Sequence, residues 1–314
     1  MIACASFAIT LPSTVLAQSG YPNKAIRMVI AFGPGGVADT MGRMAAQKLN
    51  ERFGHPVVVD NRPGAGGIVA AKLVAEAPAD GYTLLVITAA VAINTVISRE
   101  GIDPRRRLTP VALVASAPTV LSMHGSITSI SLQDYVRNVK GGRFSYSTAG
   151  VGTAEHLTSE YVFKRAGLDA THVPFAGGLA AVTAVLGRHV EIVTAPVPSA
   201  WPFLKDGRLR AIAVASHARI LVLPEVPTLG EAGFANFENA TWVAIFAPPG
   251  LPESLVRFLN AEINQSLAAP DVRERLTTLG FDQKRTSPRE FSSYIKDEVE
   301  KWSRVVKTTG FTLN

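Results

Sequence analysis

The residues that could do chemistry here are gathered in three glycine-rich turns. The first, Gly33-Pro34-Gly35-Gly36, follows the apolar run Val29–Phe32 and leads to Asp39 and Thr40, where a helix should begin. The second, Ala149-Gly150-Val151-Gly152-Thr153, follows the run Phe144–Thr148, which includes Ser147. The third, Ala176-Gly177-Gly178, follows Ala170–Phe175. A strand that ends in glycines and opens a helix exposes unpaired N–H groups at the positive end of the helix dipole, which suits an anion. Asp39 has two readings: the cap of the helix that follows, or a contact for a ligand amine or hydroxyl.

Other chemistries find less support. Gly33–Ala38 fits G-x-G-x-x-A, and Asp60 ends the next strand where a ribose-binding acid would sit, so a dinucleotide-binding α/β enzyme is the rival reading. Pro34 inside the turn and Asp39 close to the pyrophosphate position weigh against it. The six histidines show no metal-ligand spacing, and Cys4 is the single cysteine, so neither metal nor cofactor is expected. There is no G-x-S-x-G elbow and no G-K-[ST] phosphate loop, so catalysis is not expected either.

These turns need a frame, and the pattern supplies one. Strands are expected at Val29–Phe32, Pro56–Asn61 and Thr83–Thr88, with helices between them: a parallel, helix-covered sheet whose glycine turns mark the ligand-binding edge. Phe32 and Thr88, at strand ends, are candidate wall residues. Pro110–Met123 is too long for one ordinary strand and is read as a segment leaving one lobe for another. A second βα series follows: helix Ser131–Val139, strand Phe144–Thr148, helix Ala154–Arg165, strand Ala170–Phe175, helix Leu179–Leu186, then strands Val190–Pro196 and Leu209–Ser216. Ala240–Gly250 is read as the return crossing. Three helices close the chain, the last opened by the capping box Ser287-Pro288-Arg289-Glu290. The expected fold is α/β, a two-lobed periplasmic-binding-protein fold of the Venus-flytrap, type II-like kind with two interlobe crossovers. The expected division is 21–116 with 241–314 as the first lobe and 117–240 as the second.

With 314 residues, 47% hydrophobic and 18% charged, the chain can bury a large core and is not disordered. The net charge of +6 is scattered, and the densest cluster, Arg105–Arg107, has no interleaved aromatics, so nucleic acid is not an expected partner. The first twenty residues are uncharged and largely apolar, with Val15-Leu16-Ala17 resembling a signal-peptidase site. Export to the periplasm, with cleavage near Ala17, is the expectation.

At this point the motifs resemble a known family, the Bug/TctC group of extracytoplasmic receptors of tripartite tricarboxylate transporters. The resemblance spans Tyr21 to Gly310. It rests on Phe32-Gly33-Pro34-Gly35-Gly36 with Asp39, Val57–Gly67, Asp80–Leu85, Pro110–Ala115, Tyr146–Leu157 and Leu223–Gly233. It implies a receptor, monomeric by expectation, that passes a small carboxylate to membrane permease subunits, or whose loaded form signals to a sensor kinase. By matching position it implicates Gly35, Gly36 and Asp39 in one lobe, Ser147, Gly150, Gly152 and Thr153 in the other, and Thr88 as an extra wall. Phe175, Ala176 and Gly177 are candidate ligand contacts, and Phe175 and Ala176 stand where the family more often has a tyrosine and a basic residue. That makes the cleft less polar and favours a smaller or partly apolar monocarboxylate over a tricarboxylate.

Overall fold

A computed structural model describes residues 20–127, 131, 134, 143–234 and 239–309. The chain opens with β1 (Ile26–Ile30), α1 (Val37–Phe53), β2 (Val57–Asn61), α2 (Ile68–Ala75) and β3 (Thr83–Thr88). Two helices, α3 (Ala90–Ile97) and the short α4 (Pro104–Arg107), lead into β4 (Thr109–His124). The second series runs β5 (Arg143–Thr148), α5 (Ala154–Arg165), β6 (Asp169–Pro174), α6 (Gly178–Leu186), β7 (Ile192–Pro196), α7 (Val197–Lys205) and β8 (Leu209–Val214). The chain ends with β9 (Ala240–Ala247), α8 (Glu253–Leu267), α9 (Pro270–Thr278), β10 (Asp282–Gln283) and α10 (Pro288–Thr309). The helix expected at Ser131–Val139 lies largely outside the described residues.

The sheet is mixed, not wholly parallel. Its order is β2-β1-β3-β9-β4-β7-β5-β6, with β8 and β10 also paired to β4. At one end β2, β1 and β3 run parallel, and at the other β7, β5 and β6 do. The parallel trios follow from helix crossovers, which return each strand in the same direction. Between them lie β9 and β4, antiparallel to each other over Thr109–Pro118. From Thr119 onward β4 changes partners and pairs with β7 and β8. Its 16 residues, read in the sequence as one overlong apolar segment, therefore form one strand serving two groups of neighbours.

Three apolar clusters fill the layers. The largest packs α1, α2, α3, α8 and α10 against β1, β3, β9 and the first half of β4. Two smaller ones lie around β7 and β5, one under α6 and α7 and one under α5. The last helix is anchored by a buried polar tie. Glu298 Oε2 accepts from Trp242 Nε1 on β9 at 2.9 Å and from Trp302 Nε1 at 3.1 Å. The capping box is formed: Glu290 N donates to Ser287 Oγ at 3.3 Å, and Ser287 N donates to Glu290 Oε2 at 2.7 Å.

Candidate functional site

The loops after β1, β2, β5 and β6 meet at one edge of the sheet. Gly33 N donates to Ala176 O at 2.6 Å, a backbone bond between the first and third glycine turns. A Cβ on Gly35 would lie 2.4 Å from Leu179 Cδ2, and one on Gly66 would lie 2.1 Å from Val151 O. These approaches leave no room for side chains, which is why glycine holds the positions. Asn94 on α3 sits in the same seam: it is buried, and its Nδ2 donates to Gly66 O at 3.1 Å.

Two cavities lie behind this contact. The outer one, about 320 Å³, is lined by Phe32, the Pro63–Gly67 loop, Ala149-Gly150-Val151 and Pro174-Phe175-Ala176. Its wall is backbone and apolar carbon. The inner one has room for about a single water, some 10 Å³, and is lined by Phe32, Gly36, Val37, Ala38, Thr88, Ala149, Thr153, Glu155, Gly178 and Pro196. Three helices begin at that inner cavity. In α1 the first helical bond is from Thr40 N to Gly36 O, in α5 from Leu157 N to Thr153 O, and in α6 from Ala181 N to Gly177 O. Ahead of each bond the N–H groups have no backbone acceptor in their own helix, although in α5 the Thr153 hydroxyl accepts from His156 N at 3.3 Å, and three positive dipole ends converge on one spot. No lysine or arginine lines either cavity.

Of the candidate residues, Phe32, Gly36, Thr88, Gly150, Thr153, Phe175 and Ala176 line one cavity or the other. Gly177 lies against Gly33, and Gly35 against Leu179, so both belong to the seam. A Cβ on Gly152 would meet Asn94 Oδ1 at 2.2 Å, which places Gly152 in the seam as well.

Two candidates point elsewhere. Ser147 is fully buried, and its Oγ donates to Ala181 O at 3.0 Å. Alternation along β5 turns it toward α6, where its hydroxyl is consumed. Asp39 is not the helix cap, which is Gly36; it is the third residue of α1. Its Oδ2 accepts from Gly35 N at 2.9 Å and from Arg43 Nε at 2.9 Å, and its Oδ1 accepts from Asn61 Nδ2 at 2.9 Å. Burial pushes the Asp39 carboxyl up, but Arg43, Gly35 and Asn61 outweigh it and hold the group below the usual aspartate range. Asp39 thus shapes the first turn from behind. Asp60, the acid of the dinucleotide reading, is held by Arg27 Nε at 2.9 Å and by Arg62 Nε at 2.9 Å.

Other residues were not assigned to the site from the sequence, although one group of them stands within the Val57–Gly67 motif. The Gly64–Gly67 turn had a visible signal, its glycines, and Asn94 had another, a lone amide in the apolar stretch AVAINTVI. Glu155 carried a misleading one. An acid in a helix's first turn is ordinarily solvated, yet Glu155 is 2% exposed and lines the inner cavity. Burial pushes its carboxyl above the usual range, opposed in part by its own N–H and by the Thr153 and Thr241 hydroxyls.

Residues 41–311 match the model of the tripartite tricarboxylate transporter family receptor, TctC. The chain belongs to this family. A relative described as the UPF0065 protein in the tcbD–tcbE intergenic region of Pseudomonas sp. (strain P51) is 36% identical over 311 residues, covering 98% of this chain and 93% of that protein. Among solved structures, an R. palustris protein with adipate superposes with a TM-score of 0.87 at 30% identity, covering 93% of this chain and 99% of that one. MatC from Rhodopseudomonas palustris with bound malate gives a TM-score of 0.85 at 31% identity, covering 91% and 100%. The TctC fold is therefore that of periplasmic binding proteins, as the motifs implied. Among the described residues no helix is long and apolar enough to cross a membrane, and no cluster of metal-ligating side chains is found.

Proposed function

We propose that this receptor captures a small carboxylate, or a related polar solute, at the glycine turns, closes over it, and presents the closed form to permease subunits of a tripartite transporter. The observation that carries the reading is the convergence of three helix N-termini on an enclosed cavity with no basic side chain in its lining. Fixed amides recognise an anion without reorganising, and an apolar wall such as Phe32 and Phe175 tunes which anion enters. Structures of two relatives hold adipate and malate, both dicarboxylates, which supports the ligand class.

In this reading the two ends of the sheet are lobes, 21–116 with 241–314 and 117–240, hinged where β4 and β9 cross. Export to the periplasm after cleavage near Ala17 completes it. The ligand-binding residues we assign are Phe32, Gly36, Thr88, Gly150, Thr153, Phe175 and Ala176. Gly35, Gly152 and Gly177 shape the closing seam. The test is a thermal shift of the mature protein against mono-, di- and tricarboxylates, amino acids and nicotinate. A ligand that binds only the folded form adds RT ln(1 + [L]/Kd), about 2.7 kcal/mol at a hundredfold excess over Kd. At least one carboxylate is expected to raise the melting temperature, and no response from any of them would defeat the reading.

A further inference from the structure

Glu155 is an acid in the one place where an arriving anion is expected. It sits at the start of α5, 2% exposed, in the lining of the inner cavity beside Gly36 of α1 and Gly178 of α6. No other titratable side chain lines either cavity. Among the described residues it makes no ion pair, and the polar groups acting on it are its own N–H and two threonine hydroxyls.

We infer that Glu155 binds the ligand as a neutral acid, donating its proton as a hydrogen bond, so that capture of a simple carboxylate takes up one proton. This rests on the carboxylate reading above. Two carboxylates enclosed together without a cation repel, and the pair lowers its energy by sharing a proton. At pH values where Glu155 of the free receptor is ionised, the balance is free receptor plus ligand anion plus one H⁺, giving a complex in which the carboxyl O–H faces the ligand oxygen. The receptor therefore distinguishes ligands by what they bring to Glu155. A plain alkyl carboxylate needs a proton from solvent, while a ligand with its own ammonium group brings a donor.

The surroundings do not supply the same titration. On α5 the other ionisable groups are His156, Glu160, Tyr161, Lys164 and Arg165, and Glu160 is tied to Tyr146 and Lys164. β5 and β6 add Arg143, Tyr146, Asp169 and His172, whereas β7, β9 and α6 carry no ionisable side chain. Burial lowers His156 to about 4 and His172 to about 3, and raises the Tyr146 phenol. On α1, Asp39 is held by Arg43 and lies below the usual range.

The experiment is calorimetric titration of wild-type receptor with adipate and malate between pH 5.5 and 9, in buffers of different ionisation heat. We expect a flat Kd at the acid end, then a rise of up to tenfold per pH unit, with proton uptake approaching one on that rising limb. Glu155→Gln, which keeps an N–H donor at every pH, is expected to lose the pH dependence and to bind more tightly than wild type at pH 9. Binding by wild type with the same Kd across the range and no proton uptake would overturn the inference while leaving the carboxylate reading standing. If neither probe binds at pH 5.5 and no other carboxylate shifts the melt, the carboxylate reading fails, and this inference with it.

Discussion

Replacing Gly66 with alanine should block closure without unfolding the chain. Gly66 has φ +61°, and a Cβ there would lie 2.1 Å from Val151 O and 3.0 Å from Asn94 Nδ2. Real Cβ atoms essentially never come within 3.0 Å of such a neighbour, so the Val151 loop must retreat by nearly an ångström. Two costs follow, and they separate. The left-handed backbone costs alanine about 1 kcal/mol whether the cleft is open or shut. In a chain of 314 residues that lowers Tm by about 1–2 °C. In the two-lobe reading the clash acts only on the closed form: overpacking of this kind costs up to about 3 kcal/mol. Three kcal/mol in the binding-competent state weakens apparent affinity roughly a hundredfold. The assay is calorimetry with whichever carboxylate gives the largest thermal shift, with small-angle scattering to follow closure. Gly54→Ala is the control, since Gly54 has φ +65° but nothing within 4 Å of the added carbon. It should show a similar fall in Tm and keep its affinity. If Gly66→Ala binds within threefold of wild type, the seam is not the closing surface.

Two further perturbations test how the site is supported. Glu298→Leu leaves the Trp242 and Trp302 N–H groups buried without an acceptor, at about 1–3 kcal/mol each. We expect calorimetric Tm to fall by about 3–9 °C, and a loss under 2 °C would mean that this tie does not hold α10 to β9. His156 and His172 stack with ring centroids 3.9 Å apart, and burial lowers both, to about 4 and about 3. The unfolded chain protonates them near pH 6.5, so it binds more protons than the native state does below that pH. Stability is therefore full above pH 6.5 and declines as pH falls toward 4, by up to about 3 kcal/mol from His156. Urea midpoints measured from pH 7 to 4.5 should show the decline, with a shallower slope for His172→Phe; equal slopes would refute the assignment.

What the sequence made legible was whatever local pattern decides. The glycine turns, the overlong β4 and the Ser287 capping box announce themselves through backbone need, and the structure has them at the positions read. The side chains behind the turns were less legible, because their direction depends on distant neighbours. Ser147 alternates onto the face covered by α6, a fact set by Ala181, 34 residues on. Asp39 turns inward because Arg43 and Asn61 meet it there. Glu155 is buried only because α1 and α6 begin opposite it. No periodicity within α5 could report that.

The strand order also dictates when this molecule can become itself. β3 emerges early in synthesis, but its partner on the far side, β9, pairs through Leu85 with Phe246 and is made only in the last quarter of the chain. Until then β3 offers an open edge, and the first half of β4 lacks its longest ladder. The first trio of strands thus finishes after the second series has been made, although it was begun before it. A chain of this topology leaves its sheet incomplete for nearly all of its passage off the ribosome, until its C-terminal strands arrive.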